Sequence, residues 1–246
     1  MRAGRLDTYR EERLPVARQI VERASRSNAT LGPIFQALQL PPTPGADDLN
    51  RALDELEAPV AAAADRREAL QKALQGTLIC FNAHGVETNQ HYRSAAIVGD
   101  GLPEPQAPRD EEIHHFATTA PGRHLPHVWL TRDQRRVSTL DLCGRGEFTL
   151  ITRIRGTAWR DAAERAAAEL GVPLAVRGVG RGCDYEDAYG DFADISEIDE
   201  DGALLVRPDL MVAWRSKTTG DDPAATLINV LCRILGRATA PSVVSL

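Results

Sequence analysis

Ala203-Leu204-Leu205-Val206-Arg207-Pro208-Asp209-Leu210-Met211-Val212-Ala213-Trp214 is the clearest paired-strand pattern in the chain. Residues 203–206 and 211–214 supply the branched, aromatic and apolar side chains that suit a pleated sheet. Arg207-Pro208-Asp209 between them presets the backbone for a reversal. The stretch predicts a β-hairpin that carries no chemistry of its own.

Working outward, strands and helices alternate around this hairpin. Residues 148–152 predict a strand. Residues 157–170 predict a helix with Trp159, Ala162, Ala163, Ala166 and Leu170 on one side, stopped by Gly171. A strand at 174–179 and a weak helical or turn segment at 189–195 follow, then the hairpin. Asp222-Pro223 opens a last helix, with Leu227, Val230, Leu231, Ile234 and Leu235 on its buried face and Gly236 closing it. This order is that of a thioredoxin-like α/β domain, preceded by two further strands at 128–131 and 137–142. A redox-active member would need Cys-x-x-Cys at the start of its first helix, where helix-terminal amides lower a thiol's pKa. This chain has Ile154-Arg155-Gly156-Thr157-Ala158-Trp159 there, which argues against thiol–disulfide chemistry.

The first hundred residues follow a different pattern. Thr8-Tyr9-Arg10-Glu11 fits a capping box at a helix start, and Pro15 fits the first position of a renewed helical segment. Val16, Ile20, Val21 and Ala24 then share one face. A short apolar helix at 31–40 is broken by Pro41-Pro42-Thr43-Pro44-Gly45; Leu49, Leu53 and Leu56 mark a third helix, and 59–75 a fourth. Four short amphipathic helices make a thin core. Residues 77–81 form a short apolar run and 92–98 predict a strand. Pro103, Pro105 and Pro108 read as a linker. The expected division is a helical segment at 1–98, a linker at 99–125 and the α/β domain at 126–246.

The chain has 246 residues, 43% of them hydrophobic, enough for a buried core. A net charge of -6, with its 29 lysines and arginines dispersed, argues against nucleic acid as a partner. Apolar runs such as 60–64 and 76–81 fall far short of the ~20 residues a membrane helix needs. Met1-Arg2-Ala3-Gly4-Arg5 opens no signal sequence. A cytoplasmic location is expected. Cys80, Cys183, Cys143 and Cys232 are widely spaced and read as buried small apolar residues.

Four groups of residues could carry chemistry. His84, Gly85, Glu87, Asn89, Gln90 and His91, within the polar patch running from His84 to Arg93, suit either a solvated or satisfied polar loop or one that contacts substrate or a subunit. Gly178-Val179-Gly180-Arg181-Gly182-Cys183 superficially suggests a dinucleotide loop, but Cys183 stands at the third glycine. Asp184-Tyr185-Glu186-Asp187 would also set carboxylates against a pyrophosphate. Asp184, Glu186, Asp187, Asp191 and Asp194 match no cation-loop spacing and read as a solvated acidic face. His114-His115 and His124-Leu125-Pro126-His127 lack the further ligands a zinc site needs. No catalytic, cofactor-binding or metal-binding residue is assigned.

Several longer stretches nevertheless carry a resemblance. These stretches are Leu6-Asp7-Thr8-Tyr9-Arg10-Glu11-Glu12-Arg13-Leu14-Pro15-Val16, His84-Gly85-Val86-Glu87-Thr88-Asn89-Gln90-His91-Tyr92-Arg93-Ser94, Pro121-Gly122-Arg123-His124-Leu125-Pro126-His127-Val128-Trp129-Leu130, Ser138-Thr139-Leu140-Asp141-Leu142 and the hairpin. They resemble the C-terminal half of FAD-dependent aromatic hydroxylases of the phenol and chlorophenol monooxygenase branch, with polyketide hydroxylases as near relatives. The resemblance implies a helical remnant of a flavin domain followed by a thioredoxin-like domain that takes part in subunit contacts. It implies FAD, NAD(P)H and a phenolic substrate for the family. The family's N-terminal Gly-x-Gly-x-x-Gly turn, its central Asp-Gly motif and the Gly-Asp motif just before the first helix of this chain are missing, so this chain is expected neither to bind FAD nor to hydroxylate alone. Its partner would be a flavin-domain polypeptide in trans, or a second copy through the C-terminal domain. The alternative is a non-catalytic dimerisation or binding module acting with a separate flavoprotein. Relatives favour a glycine or polar residue where this chain has Leu210, so that turn is expected to be altered or buried at an interface.

Overall fold

The computed structural model describes residues 4–238, with side chains from Asp7 onward. Residues 1–3 and 239–246, the outer ends of the expected 1–98 and 126–246 segments, lie outside the described residues. By contact the chain forms two compact units. One comprises Met1–Leu14, Thr88–Pro108 and Phe116–Leu246, and the other Pro15–Glu87 and Arg109–His115. This division is discontinuous in sequence and differs from the contiguous one drawn from composition.

Helix α1 (Gly4–Ala29) runs without interruption, with Pro15 inside it where the sequence suggested a fresh start. It buries Glu12, Val16 and Arg23, while Ile20 and Val21 are exposed. The stripe expected from Val16, Ile20, Val21 and Ala24 is therefore wrong by part of a turn, because two charged residues occupy the inward positions and carry their own partners.

The second unit continues with α2 (Gly32–Ala37), α3 (Ala46–Glu57), α4 (Ala61–Gly76), α5 (Leu78–Phe81) and α6 (His84–Thr88). Its buried apolar set is small: Val16, Ala52, Leu56, Ala63, Ala73 and Val86 among the described residues. Leu49 and Leu53, expected beside Leu56, are exposed. Arginines supply much of the remaining order. Arg66 donates to the α2-terminal carbonyls of Ala37 (3.3 Å) and Leu38 (3.1 Å) and pairs with Glu55 (2.7 Å). Arg67 donates to Leu56 O (2.5 Å) at the end of α3. Buried Arg23 binds Ile79 O and Asn82 O (2.7 and 2.8 Å) and Glu112 Oε2 (2.7 Å). Cationic side chains thus satisfy carbonyls that each helix end leaves open.

The first unit holds the sheet. A small antiparallel ribbon pairs β1 (Trp129–Arg132) with β2 (Arg135–Ser138), turning at Asp133 and Gln134 with positive φ at both. That is the twist-matched two-residue hairpin turn. β3 (Phe148–Thr152), α7 (Thr157–Leu170), β4 (Leu174–Gly178), α8 (Asp191–Ile195), β5 (Ala203–Val206), β6 (Val212–Ser216) and α9 (Pro223–Ile234) follow. The sheet order is β4-β3-β5-β6, with β3 parallel to β4 and antiparallel to β5, and β5 antiparallel to β6. This is the thioredoxin-like α/β topology expected from the sequence.

β5 is apolar throughout because both of its faces are covered. Leu205 joins Leu150, Trp159, Leu227 and Leu231 on the side of α7 and α9, while Leu204 and Val206 join Ile151, Leu125, Leu130 and Phe192 on the other. Each such fully buried side chain contributes roughly 1.5–3 kcal/mol. Trp159 donates its indole N–H to Asp201 O (2.8 Å), so its burial leaves no polar atom unsatisfied. The outer side of β6 is also occupied. Gly122 N donates to Val212 O (2.7 Å), Val212 N to Arg123 O (2.9 Å) and Val98 N to Ala213 O (2.8 Å).

Two local expectations are corrected. Residues 92–98 form no strand, because Ser94 Oγ accepts from Ala96 N (3.0 Å) and Ile97 N turns back to Ser94 O (3.1 Å). The strand expected at 137–142 ends at Ser138, where a capping box with Asp141 starts a 3-10 helix, Thr139–Leu142. The apolar run at 77–81, to which no element was assigned, forms the short helix α5 from Leu78 to Phe81. At the hairpin reversal Leu210 adopts φ +68° and donates its N–H to Arg207 O (3.0 Å). A branched residue costs roughly 1–2 kcal/mol in that left-handed region, and the half-buried side chain offsets this by packing onto the cluster around Val206 and Leu125.

Candidate functional site

Residues 84–87 of the polar patch belong to the second unit and 88–93 to the first. In the second, Gly85 on α6 lies so close to the 109–115 segment that a Cβ there would fall 1.9 Å from Glu111 O. The rings of His84 and His115 lie 5.9 Å apart, and Val86 N donates to Glu112 O (3.2 Å). Hydrogen bonds from Arg26, with Arg23 adding to them, hold the Glu112 carboxyl below its usual range despite partial desolvation.

In the first unit, residues 89–93 build an ionic centre around Glu104. His91 Nδ1 lies 2.8 Å from Glu104 Oε1, and Arg93 and Arg123 reach the same carboxylate at 2.5 and 3.3 Å. Arg123 also donates to Asn89 O (2.9 Å), and Asn89 Oδ1 accepts from Phe116 N (2.8 Å). Burial, followed by the field of Arg123, pushes the His91 pKa down, and Glu104 does not restore it. Burial therefore favours the neutral ring, against Glu104 and the Pro121 carbonyl, which favour the charged one. Glu104 is opposed by desolvation, yet it is held below the ordinary carboxylate range by His91, Arg93 and Arg123.

A second centre lies where α1 meets the hairpin turn within the same unit. Glu12, 4% exposed, receives Arg207 Nη1 and Nη2 at 2.6 and 3.0 Å and Ser94 Oγ at 2.7 Å. Arg207 also pairs with Asp209 (2.7 Å). Arg13 donates to the Tyr92 hydroxyl, and the guanidiniums of Arg13 and Arg207 each lie 5.9 Å from the Tyr92 ring centre. These contacts fix the register of the patch; none of them activates a nucleophile or pairs an acid with a base.

The other sequence candidates have structural partners. Asp184 Oδ2 accepts from Gly178 N (2.8 Å) and Arg160 (3.0 Å), so a carboxylate of the protein occupies the strand-end amide that a phosphate would use. Desolvation opposes the ionised form of Asp184, yet Gly178 N and Arg160 hold its pKa low. Asp187 accepts from Phe192 N and Ala193 N (3.3 and 2.9 Å) at the start of α8. His124 Nδ1 sits 2.9 Å from Leu125 O and His127 Nδ1 2.7 Å from Ser138 Oγ. Among the described residues no three His, Cys, Asp or Glu side chains converge as a metal set. Cys143 and Cys232 are buried, but Cys80 and Cys183 are only half-buried, a correction to the expectation for all four. Burial drives the Cys143 thiol up to about 12.

Comparison with known proteins decides the family. The model of the aromatic-ring hydroxylase C-terminal domain matches residues 118–238. Residues 118–238 belong to the aromatic-ring hydroxylase C-terminal domain family. The chain is 49% identical over 230 residues to 2,4-dichlorophenol 6-monooxygenase of Delftia acidovorans, covering 92% of this chain and 39% of that protein. It is 40% identical over 226 residues to phenol 2-monooxygenase of Pseudomonas sp. (strain EST1001), covering 92% and 37%. The solved structure of the flavin-dependent monooxygenase PieE in complex with FAD and substrate superimposes with a TM-score of 0.86 at 46% identity, over 96% of this chain and 40% of that one. Polyketide hydroxylases are related to it. The chain thus spans about two-fifths of the length of the curated relatives it matches.

The family implies FAD, and the one parallel strand–helix–strand unit among the described residues does not fit its pyrophosphate. The parallel unit β3–α7–β4 has one glycine in its first loop, Gly156, and a Cβ there would lie 2.4 Å from Thr152 Cβ. That loop is packed onto its own strand and leaves no cradle for a pyrophosphate. Sequence reasoning passed over Glu12, Glu104, Arg123, Glu197, Arg207 and Arg215. Only Arg207 and Arg215 carried a signal, each a charge closing an apolar run; the others lie in polar or mixed stretches.

Proposed function

We infer that this chain acts as the C-terminal portion of a flavin-dependent, phenol-type aromatic-ring monooxygenase and holds no FAD by itself. The observation that carries the reading is the filled β3–α7 loop, in a chain that spans about two-fifths of its relatives and contains no Gly-x-Gly-x-x-Gly turn. Flavin reduction by NAD(P)H and oxygen transfer to a phenolic ring would then require a flavin-domain polypeptide, whose cofactor supplies that chemistry. In such a pairing the chain's residues bind and orient; they move no proton at the ring.

The second unit supports the pairing by exposing apolar side chains that a solvated helical unit has no reason to display. Val21 is 64% exposed, Leu53 55%, Leu78 55% and Phe81 82%. These exposed side chains also suit the second reading, a non-catalytic binding module for a separate flavoprotein, and the C-terminal domain suits self-association. Titration of the purified chain with FAD, followed by flavin fluorescence, is expected to show no stoichiometric quenching; tight one-to-one quenching refutes the reading. Adding a flavin-domain polypeptide from a phenol-type relative separates the two roles. NAD(P)H-dependent phenol hydroxylation that requires this chain supports the first, while binding without any effect on hydroxylation supports the second. Sedimentation over a range of concentrations tests the homodimer.

A further inference from the structure

Within the first unit a cleft of about 590 Å³ is lined by Leu102, Pro103, Arg153, Glu197, Ile198 and Lys217, with Arg215 at its wall. Its position is informative. Arg153 immediately follows β3, and Glu197 to Asp199 lie in the connection that carries the chain from one side of β3 to β5 on the other. Ligands of open α/β sheets bind beyond the carboxyl ends of strands where connections diverge in this way. The volume lies within the range of small-molecule pockets.

The charges at the cleft divide into committed and uncommitted groups. Arg215, 5% exposed, is matched by Asp100 (2.6 Å) and Glu197. Glu197 Oε2 in turn accepts from Thr118 Oγ1 (2.8 Å), Thr119 N (3.0 Å) and Thr119 Oγ1 (3.1 Å). Glu197 also has φ +54°, a strained backbone for a residue with a side chain, and these four bonds hold it there. Arg153 spends one N–H on Ile198 O (2.9 Å). Among the described residues Arg153, Lys217 and Asp199 make no ion pair. The cleft therefore offers two uncommitted cations against one uncommitted carboxylate, on a wall built from Leu102, Pro103, Pro105 and Ile198.

We propose that this cleft binds a small organic monocarboxylate with an apolar body, its carboxylate held by Lys217 and Arg153 and its body on Leu102, Pro103 and Ile198. The site is independent of flavin chemistry and of the pairing inferred above. It is tested on the full chain by titrating benzoate, and the uncharged benzamide in parallel, while following backbone amide shifts. Saturable benzoate shifts grouped at residues 102–105, 153, 193, 197–199 and 215–217 are expected, with benzamide at least about tenfold weaker. Lys217 is exposed, so Lys217→Gln leaves the fold intact and is expected to weaken benzoate by about tenfold; Lys217→Glu removes binding. Absence of saturation, shifts centred elsewhere, equal binding of benzamide, or affinity unchanged by both Lys217→Gln and Arg153→Gln overturns the proposal.

Discussion

Replacing Arg207 with methionine tests the ionic centre under the hairpin turn most directly. Glu12 is 4% exposed, and its charge is met by two Arg207 N–H groups at 2.6 and 3.0 Å and by the Ser94 hydroxyl. Two unit charges about 4 Å apart attract by about 4 kcal/mol at an effective dielectric of about 20. Removing one partner of a buried pair costs about 3–5 kcal/mol, because the other charge is stranded. The Arg207–Asp209 pair adds little, since Asp209 is half exposed and such pairs contribute about 0–1 kcal/mol. Arg207→Met is therefore expected to cost about 3–5 kcal/mol. Glu12→Gln costs less, about 1–3 kcal/mol, because Arg207 keeps Asp209. The double variant should lose clearly less than the sum, with a coupling of about 2 kcal/mol. Urea unfolding followed by tryptophan fluorescence is the assay, since Trp129, Trp159 and Trp214 all belong to the unit that holds the pair. Additivity of the two single variants within about 0.5 kcal/mol refutes the reasoning.

Two further outcomes are expected. The depressed pKa of His91 means that the unfolded chain binds the extra proton first, so stability contributed by neutral His91 is present above its ordinary value of 6.5 and is lost as pH falls below it. Glu104 adds a second loss as pH falls below its ordinary 4.5. The His91 ring should titrate below 6.5 by NMR, and His91→Asn should flatten stability against pH between neutrality and about 5; a ring titrating above 6.5 contradicts this assignment. Gly122→Ala would set a Cβ 2.2 Å from Tyr92 O at φ +90°, and Gly85→Ala a Cβ 1.9 Å from Glu111 O. Each should cost more than about 2 kcal/mol. Only Gly122→Ala should shift the tryptophan-detected transition directly, since its unit holds all three indoles; an unchanged midpoint for that variant counts against the close approach.

The α/β half could be read from the sequence because its elements are set by local rules that agree with packing. Residues 157–170 have an apolar stripe and a terminating Gly171, and the helix forms over those residues. Ala203 to Val206 is apolar at every position, as a strand covered on both faces must be. The errors fall where a single polar side chain outweighs the pattern. Ser138 with Asp141, and Ser94 with its own backbone, turn chains whose branched residues suggest strands. In α1 the inward positions are Glu12 and Arg23, so a search for apolar periodicity settles on the wrong face. The ionic centres escaped notice for a related reason. Glu12 and Arg207 are 195 residues apart in sequence, and no spacing rule connects them.

The two sides of the four-stranded sheet are not equivalent. Gly122, Arg123 and Val98 occupy the backbone groups along the outer side of β6, whereas β4 has no strand beyond it among the described residues. An exposed strand edge is a template for another chain, and Arg177 on β4 places a charge there that discourages casual pairing. A sheet with one adhesive side per copy has a limited future as a building block. Two copies can join edge to edge and use up both free sides, and growth stops at the pair instead of extending into a fibre.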